Sequence, residues 1–293
     1  MTNFKEILEL ANTNNKRIYE ICQKIEANDA EISEEQVRDK VKIILDAMKD
    51  TIKKGLKSKE KSLSGMCGED CSKLSKMYEQ KKSLFPETYQ KVLMYSLATI
   101  EQNVRMGKIV ACPTAGSCGI VPAVIIAMAE TLNADEEKQI NALITAGLIG
   151  KIVSKKIALA GAVAGCQSEC GVGAAMAAAG LVELCDGTNE QIVNSAALTL
   201  KNIMGLVCDP VAGLVEVPCV KRNAFLAIYA ITGAELALAD ITSVIPIDEI
   251  IDAMKQVGEM ISPKLKESSE AGLATTETGL QIAEKLSKKW QTE

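Results

Sequence analysis

The chain has 293 residues, 47% of them apolar and 24% charged, with a net charge of −5 at neutral pH, as expected of a globular protein with a sizeable core. That acidic balance, with only one Trp, five Tyr and three Phe, excludes a basic phosphate-binding face or a base-stacking platform, so no nucleic-acid partner is expected. Histidine is absent, which removes the usual neutral-pH base; ten cysteines with no export signal at Met1–Glu6 point to reduced thiols in the cytoplasm.

Helical signals then follow one another along the chain. Ser33 and Gln36 form a capping-box pattern ahead of Val37, Val41, Ile44, Leu45, Met48 and Ile52, with Gly55 as the stop. The spacing predicts a charged helical hairpin over 1–55, a mainly polar exposed loop over 56–76, and a Gly/Ala-rich body over 77–293, all within a single domain. Pro86 opens a helix to about Met106, stopped by Gly107; a second covers Ile120–Glu130, and a third begins at Asp135. The apolar stretch Ile157–Val182 has Glu169 as its only charge and is split by several glycines. It reads as a closely packed core helix, and no membrane partner is expected. Thr188 and Gln191 make a second capping box for a helix closed by Gly205, and further helices are expected at about 220–238, 247–261 and 276–289. No run alternates at period two. The fold class is therefore all-α: a multi-helix bundle with a buried Gly/Ala-rich central helix and irregular cysteine-bearing loops.

Three segments carry chemistry. Cys112-Pro-Thr-Ala-Gly-Ser-Cys-Gly119 precedes a helix start, where small residues expose N–H groups and hydroxyls suited to a carboxylate or phosphate; local composition alone favours a tight connector. In Gly165-Cys-Gln-Ser-Glu-Cys-Gly171, polar residues inside an apolar stretch need partners or a ligand, unless the cysteines are simply small buried hydrophobes. Cys208-Asp-Pro-Val-Ala-Gly213, continuing to Val217-Pro-Cys-Val-Lys-Arg-Asn223, reads as an ordered loop with a cysteine near each end, or as a connector with incidental cysteines. Cys166, Cys208 and Cys219 all fall at helix breaks beside Gly, Asp or Pro. Thiolates in such loops suit an iron–sulfur cluster, and three of them leave one iron open. The compact cysteine run of a ferredoxin is absent, which disfavours a simple electron carrier.

Pro113-Thr-Ala-Gly-Ser-Cys-Gly119, Gly165-Cys-Gln-Ser-Glu169, Cys208-Asp-Pro-Val-Ala-Gly-Leu-Val-Glu-Val-Pro-Cys219 and Lys266-Glu-Ser-Ser-Glu-Ala-Gly-Leu-Ala274 together resemble the α chain of iron–sulfur-dependent L-serine dehydratases. The resemblance spans roughly 105–275. It implies an all-helical lyase of amino-acid catabolism with a [4Fe–4S] cluster on Cys166, Cys208 and Cys219, whose open iron faces L-serine. Thr114, Gly116 and Ser117 are the first choice for holding the substrate, with Ser168 and Asn202 behind them. The family's Ser-Ser-His-Thr module has no counterpart here, so a separate β chain is the expected partner and source of the catalytic base. Cys67 and Cys71 are not counted as ligands, and Lys288–Glu293 lacks the terminal cysteine of some single-chain relatives. Two other readings stand beside this one: a cysteine desulfidase-like lyase on the same scaffold, and a non-enzymatic helical protein with a structural metal site.

Overall fold

A computed structural model describes residues 3–291. The sequence-end expectations touching Met1, Thr2, Thr292 and Glu293 lie in part outside the described residues. Among the described residues thirteen α-helices account for most of the regular structure: α1 Phe4–Thr13, α2 Ile18–Ala30, α3 Glu34–Lys57, α4 Asp70–Glu79, α5 Glu87–Val104, α6 Ile120–Leu132, α7 Glu136–Lys156, α8 Gly161–Ala164, α9 Val172–Leu184, α10 Asn189–Lys201, α11 Cys219–Leu238, α12 Ile247–Met260 and α13 Glu277–Trp290. No strand forms among the described residues, where only two isolated bridges, Lys61 with Gly68 and Cys208 with Lys266, pair extended backbone. The all-α reading holds.

At the centre lies α9, with every one of its residues buried. It packs against α6, α7, α10 and α11. Small side chains make that possible, because neighbouring backbones come close. A Cβ added at Gly180 would stand 2.9 Å from the Ala142 carbonyl oxygen of α7 and 2.9 Å from Ile125 Cδ1. Around this core, both capping boxes form as read. Ser33 exchanges hydrogen bonds with Gln36 at 2.9 and 3.1 Å, and Thr188 with Gln191 at 2.8 and 3.2 Å. The helical stretch Ala115–Leu132 has the length and apolarity of a membrane span, and 72% of it is buried inside the protein.

The structure differs from the sequence reading in four places. The N-terminal region holds three helices, α1 to α3, instead of a hairpin. The expected loop 56–76 is only partly exposed: α3 runs through Lys57, α4 begins at Asp70, and Ser62, Cys67 and Cys71 are buried. Its polar residues found partners inside, since Glu216 accepts from Ser62 Oγ at 2.5 Å and Ser64 Oγ at 2.7 Å. The helix after Pro86 stops at Val104, and Met106, at φ 60°, takes the left-handed position that Gly107 was expected to fill. Finally, Ile157–Val182 is not one helix. Gly165, at φ 80°, breaks it, and a π turn over Gln167–Gly171 separates α8 from α9.

Candidate metal and substrate site

That break creates the site. The π turn at the head of α9, a feature that recurs at functional positions, carries Glu169 and Cys170 and is preceded by Cys166; the ligand atoms of these three all lie within 4.8 Å of one another. Gln167 locks the turn in place. Its side chain donates to the Ala164 and Met254 carbonyls, each at 3.0 Å, and accepts from Gly205 N at 2.9 Å. Ser168 is fully buried, with its hydroxyl on the Gly165 carbonyl at 2.9 Å. Both residues therefore answer the cost of burying polar groups by local bonding.

Cys208 arrives from the irregular segment after α10, and Cys219 begins α11. The Cys208 backbone is strapped by the segment that follows α12: Cys208 N donates to the Leu265 carbonyl at 2.9 Å, and Glu267 N to the Cys208 carbonyl at 2.7 Å. Farther along the same strap, Ser269 Oγ donates to the Pro210 carbonyl and Leu273 N to Asp209 Oδ2. Cys166, Cys208 and Cys219 are all buried and close enough for charge on Cys166 to raise the pKa of both other thiols. Gly161 leaves a gap between Cys208 and the Glu169 carboxylate, since a Cβ there would stand 2.9 Å from both Cys208 Sγ and Glu169 Oε2.

The Thr114 loop closes the other side. Thr114 Oγ1 donates to Glu169 Oε1 at 2.5 Å and lies 3.0 Å from Ser117 Oγ, which is itself fully buried. The Gly116 carbonyl accepts from Asn223 Nδ2 of α11 at 2.7 Å. A side chain at position 116 would collide with Glu169, at 2.5 Å from Oε1. So Thr114, Gly116 and Ser117 gather around Glu169 and Cys170, whereas Ser168 lies in the same turn with its hydroxyl on the Gly165 carbonyl. Asn202 does not join them: it is exposed at the C-cap of α10, with its amide on the Leu198 carbonyl at 2.8 Å.

Electrostatics divides the thiols. Cys166 is held below the ordinary thiol range, chiefly because the Cys170 thiol hydrogen-bonds to it and secondarily because the Arg222 guanidinium is adjacent, together outweighing burial. Burial pushes Cys219 up to about 12 and Cys208 higher still. Burial also raises the Glu169 carboxyl, against the hydrogen bond from Thr114. Cys67 and Cys71 take no part in this set. Cys67 Sγ lies 3.5 Å from the Glu216 carbonyl and 3.6 Å from Lys221 Nζ, and Cys71 Sγ donates to the Met94 carbonyl. Together with Cys118 they belong to a separate apolar cluster. A cavity of about 470 Å³ between α2, α3 and α7 is lined by Cys22, Met48, Cys112 and Met176, and none of the three loop thiols borders it.

The family model described as serine dehydratase alpha chain matches residues 13–274. This chain belongs to the serine dehydratase alpha-chain family. It is 42% identical over 284 residues to the probable L-serine dehydratase, alpha chain, of Bacillus subtilis (strain 168), covering 97% of this chain and 94% of that protein. To the L-serine dehydratase, alpha chain, of Peptoniphilus asaccharolyticus it is 38% identical, covering 95% of each. The L-serine dehydratase of Helicobacter pylori (strain ATCC 700392 / 26695) is 35% identical over 93% of this chain, which spans 61% of that longer protein. Family membership makes the chain a lyase and a subunit of a multi-chain enzyme. Within this candidate site, sequence reasoning left three residues without a role: Glu169, Arg222 and Asn223. Glu169 had left a signal, as the single charge in a stretch of 26 residues from Ile157 to Val182.

Proposed function

We propose that this chain deaminates L-serine to pyruvate and ammonia with a [4Fe–4S] cluster held by Cys166, Cys208 and Cys219, working with a separate β chain. The observation that carries the reading is the gathering of three buried cysteines from three distant segments beside the Thr114–Ser117 loop. The donor set fits such a cluster: three thiols, no imidazole in the chain, one thiol already biased towards thiolate, and a guanidinium beside it. When bound, the cluster supplies a Lewis acid for the substrate's β-hydroxyl.

The chain's own groups bind and orient. Donors at Thr114, Ser117 and Gly116 take the serine carboxylate. The Thr114 hydroxyl, now spent on Glu169 at 2.5 Å, exchanges that acceptor for the substrate. Burial of Glu169 and its neighbours excludes bulk water and strengthens these charged hydrogen bonds. Removing the α-proton requires a base within hydrogen-bond reach, and with no histidine in this chain the β chain is its source. The aminoacrylate that leaves tautomerises to an imine and hydrolyses. The ten free cysteines accord with a reducing, cytoplasmic setting.

The test is substrate preference in the anaerobically assembled two-chain enzyme. Pyruvate should form from L-serine far faster than from L-cysteine. The reverse preference would make the chain a desulfidase-like lyase instead, and failure to release pyruvate from either would leave only a scaffold.

A further inference from the structure

We infer that Arg222 is the positioning residue of the thiol site: one side chain ties together the three segments that carry Cys166, Cys208 and Cys219, without binding substrate. The inference rests on the cluster reading above. Arg222 stands one helical turn after Cys219 on α11, so the two share a face. Its Nη1 donates to the carbonyl of Val207 at 3.0 Å, and its Nη2 lies 3.6 Å from Asp209 Oδ1. Those are the residues on either side of Cys208. The same guanidinium stands near enough to the Cys166 thiol for its charge to act on it. Three cysteines far apart in sequence are thus referred to one planar group.

Two further observations support a holding role. The arginine side chain is only 14% exposed, and Asp209 opposite it only 7%. Asp209 is fixed from behind by Leu273 N, while its Oδ1 is buried with no hydrogen bond of its own, leaving Arg222 as its counter-charge. A guanidinium presents rigid forked donors and keeps its charge at any working pH, so it can meet a carbonyl, a carboxylate and a sulfur together. An ammonium is a single point and cannot. With Nη1 on the Val207 carbonyl and Nη2 facing Asp209, both arms of the fork are turned to the segment that carries Cys208. In the loaded protein its positive charge offsets that of the sulfur ligands, which otherwise repel one another in a buried place.

The test compares wild type, Arg222→Lys, Arg222→Met and the double change Arg222→Met/Asp209→Asn, all reconstituted anaerobically. The double change removes the orphaned carboxylate, so a folded protein is available even if Arg222→Met alone folds poorly. Three quantities are read: iron per chain, the rate of iron release to a ferrous chelator, and the cluster's reduction potential. We expect release to quicken by about 10- to 100-fold in both Met variants, as for loss of an outer-shell partner, with Lys restoring part of the difference. The potential should fall when the positive charge is lost. Wild-type release rates and potential in all variants would overturn the role while leaving the cluster reading intact. A raised KM for L-serine with unchanged iron release would also overturn it, by making Arg222 a substrate ligand. If the wild type itself holds no iron, this inference and the cluster reading fall together.

Discussion

Cys166, Cys208 and Cys219 sit among charged groups (Arg222, Glu169 and Glu267), whereas Cys22 lies against the apolar core with its thiol on the Ile144 carbonyl. Substituting Ser for any of the three should therefore abolish iron retention, while Cys22→Ser or Cys185→Ser should leave about four irons per chain. Iron analysis after anaerobic reconstitution distinguishes the two sets; equal loss in all five proteins would contradict the assignment. On the other side of the site, Thr114→Val removes a hydroxyl meant for a charged partner. A hydrogen bond of that type contributes about 1.5–3 kcal/mol, so KM for L-serine should rise by about 10- to 100-fold with iron content unchanged. The thiols were legible in the sequence because Gly, Asp and Pro flank them at helix breaks. Arg222 and Asn223 were not, since an Arg-Asn pair at the start of a helix looks like any solvated turn until folding buries it. Asn223 is wholly buried, receiving Gly119 N at 3.0 Å and donating to the Gly116 and Cys219 carbonyls.

The helices themselves were read best where an end had its own chemistry. Ser33, Thr188 and Asp135 each cap the helix they were expected to begin, because the side-chain oxygen meets a backbone N–H that nothing else satisfies. Thr188→Ala should accordingly cost about 1 kcal/mol in denaturant unfolding. Reading failed where tertiary contacts decide. Composition gave 56–76 no apolar period, yet Glu216 draws Ser62 inward, and Arg105 Nη1 donates to the Glu60 carbonyl at 2.8 Å. Apolarity alone likewise made one helix of Ile157–Val182. The break at Gly165 depends on close approach to the Leu206 carbonyl oxygen, which a Cβ there would meet at 2.9 Å. Tight packing of α9 on α7 gives a further prediction. Gly180→Val forces side-chain atoms against the Ala142 backbone, and overpacking of this sort costs about 1–3 kcal/mol. An unfolding midpoint equal to that of wild type would show that the two helices are free to separate.

At the scale of the whole molecule, the proposed function makes the chain a binding and holding half. It gathers thiols, a carboxylate loop and a buried guanidinium, but no imidazole. Purified alone it should show little serine deaminase activity, and adding the β chain should restore turnover; full activity of the isolated chain would end that division of labour. The family resemblance was readable because four motifs keep their order across roughly 105–275, and the family match over 13–274 extends it to most of the chain. The measurement that bears most directly on the central claim is the anaerobic absorption spectrum with iron analysis, taken before and after L-serine. A brown protein with a broad band at about 400 nm, about four irons per chain and a spectral change on adding serine is the predicted result. A colourless protein that retains zinc, or a cluster indifferent to serine, would contradict it.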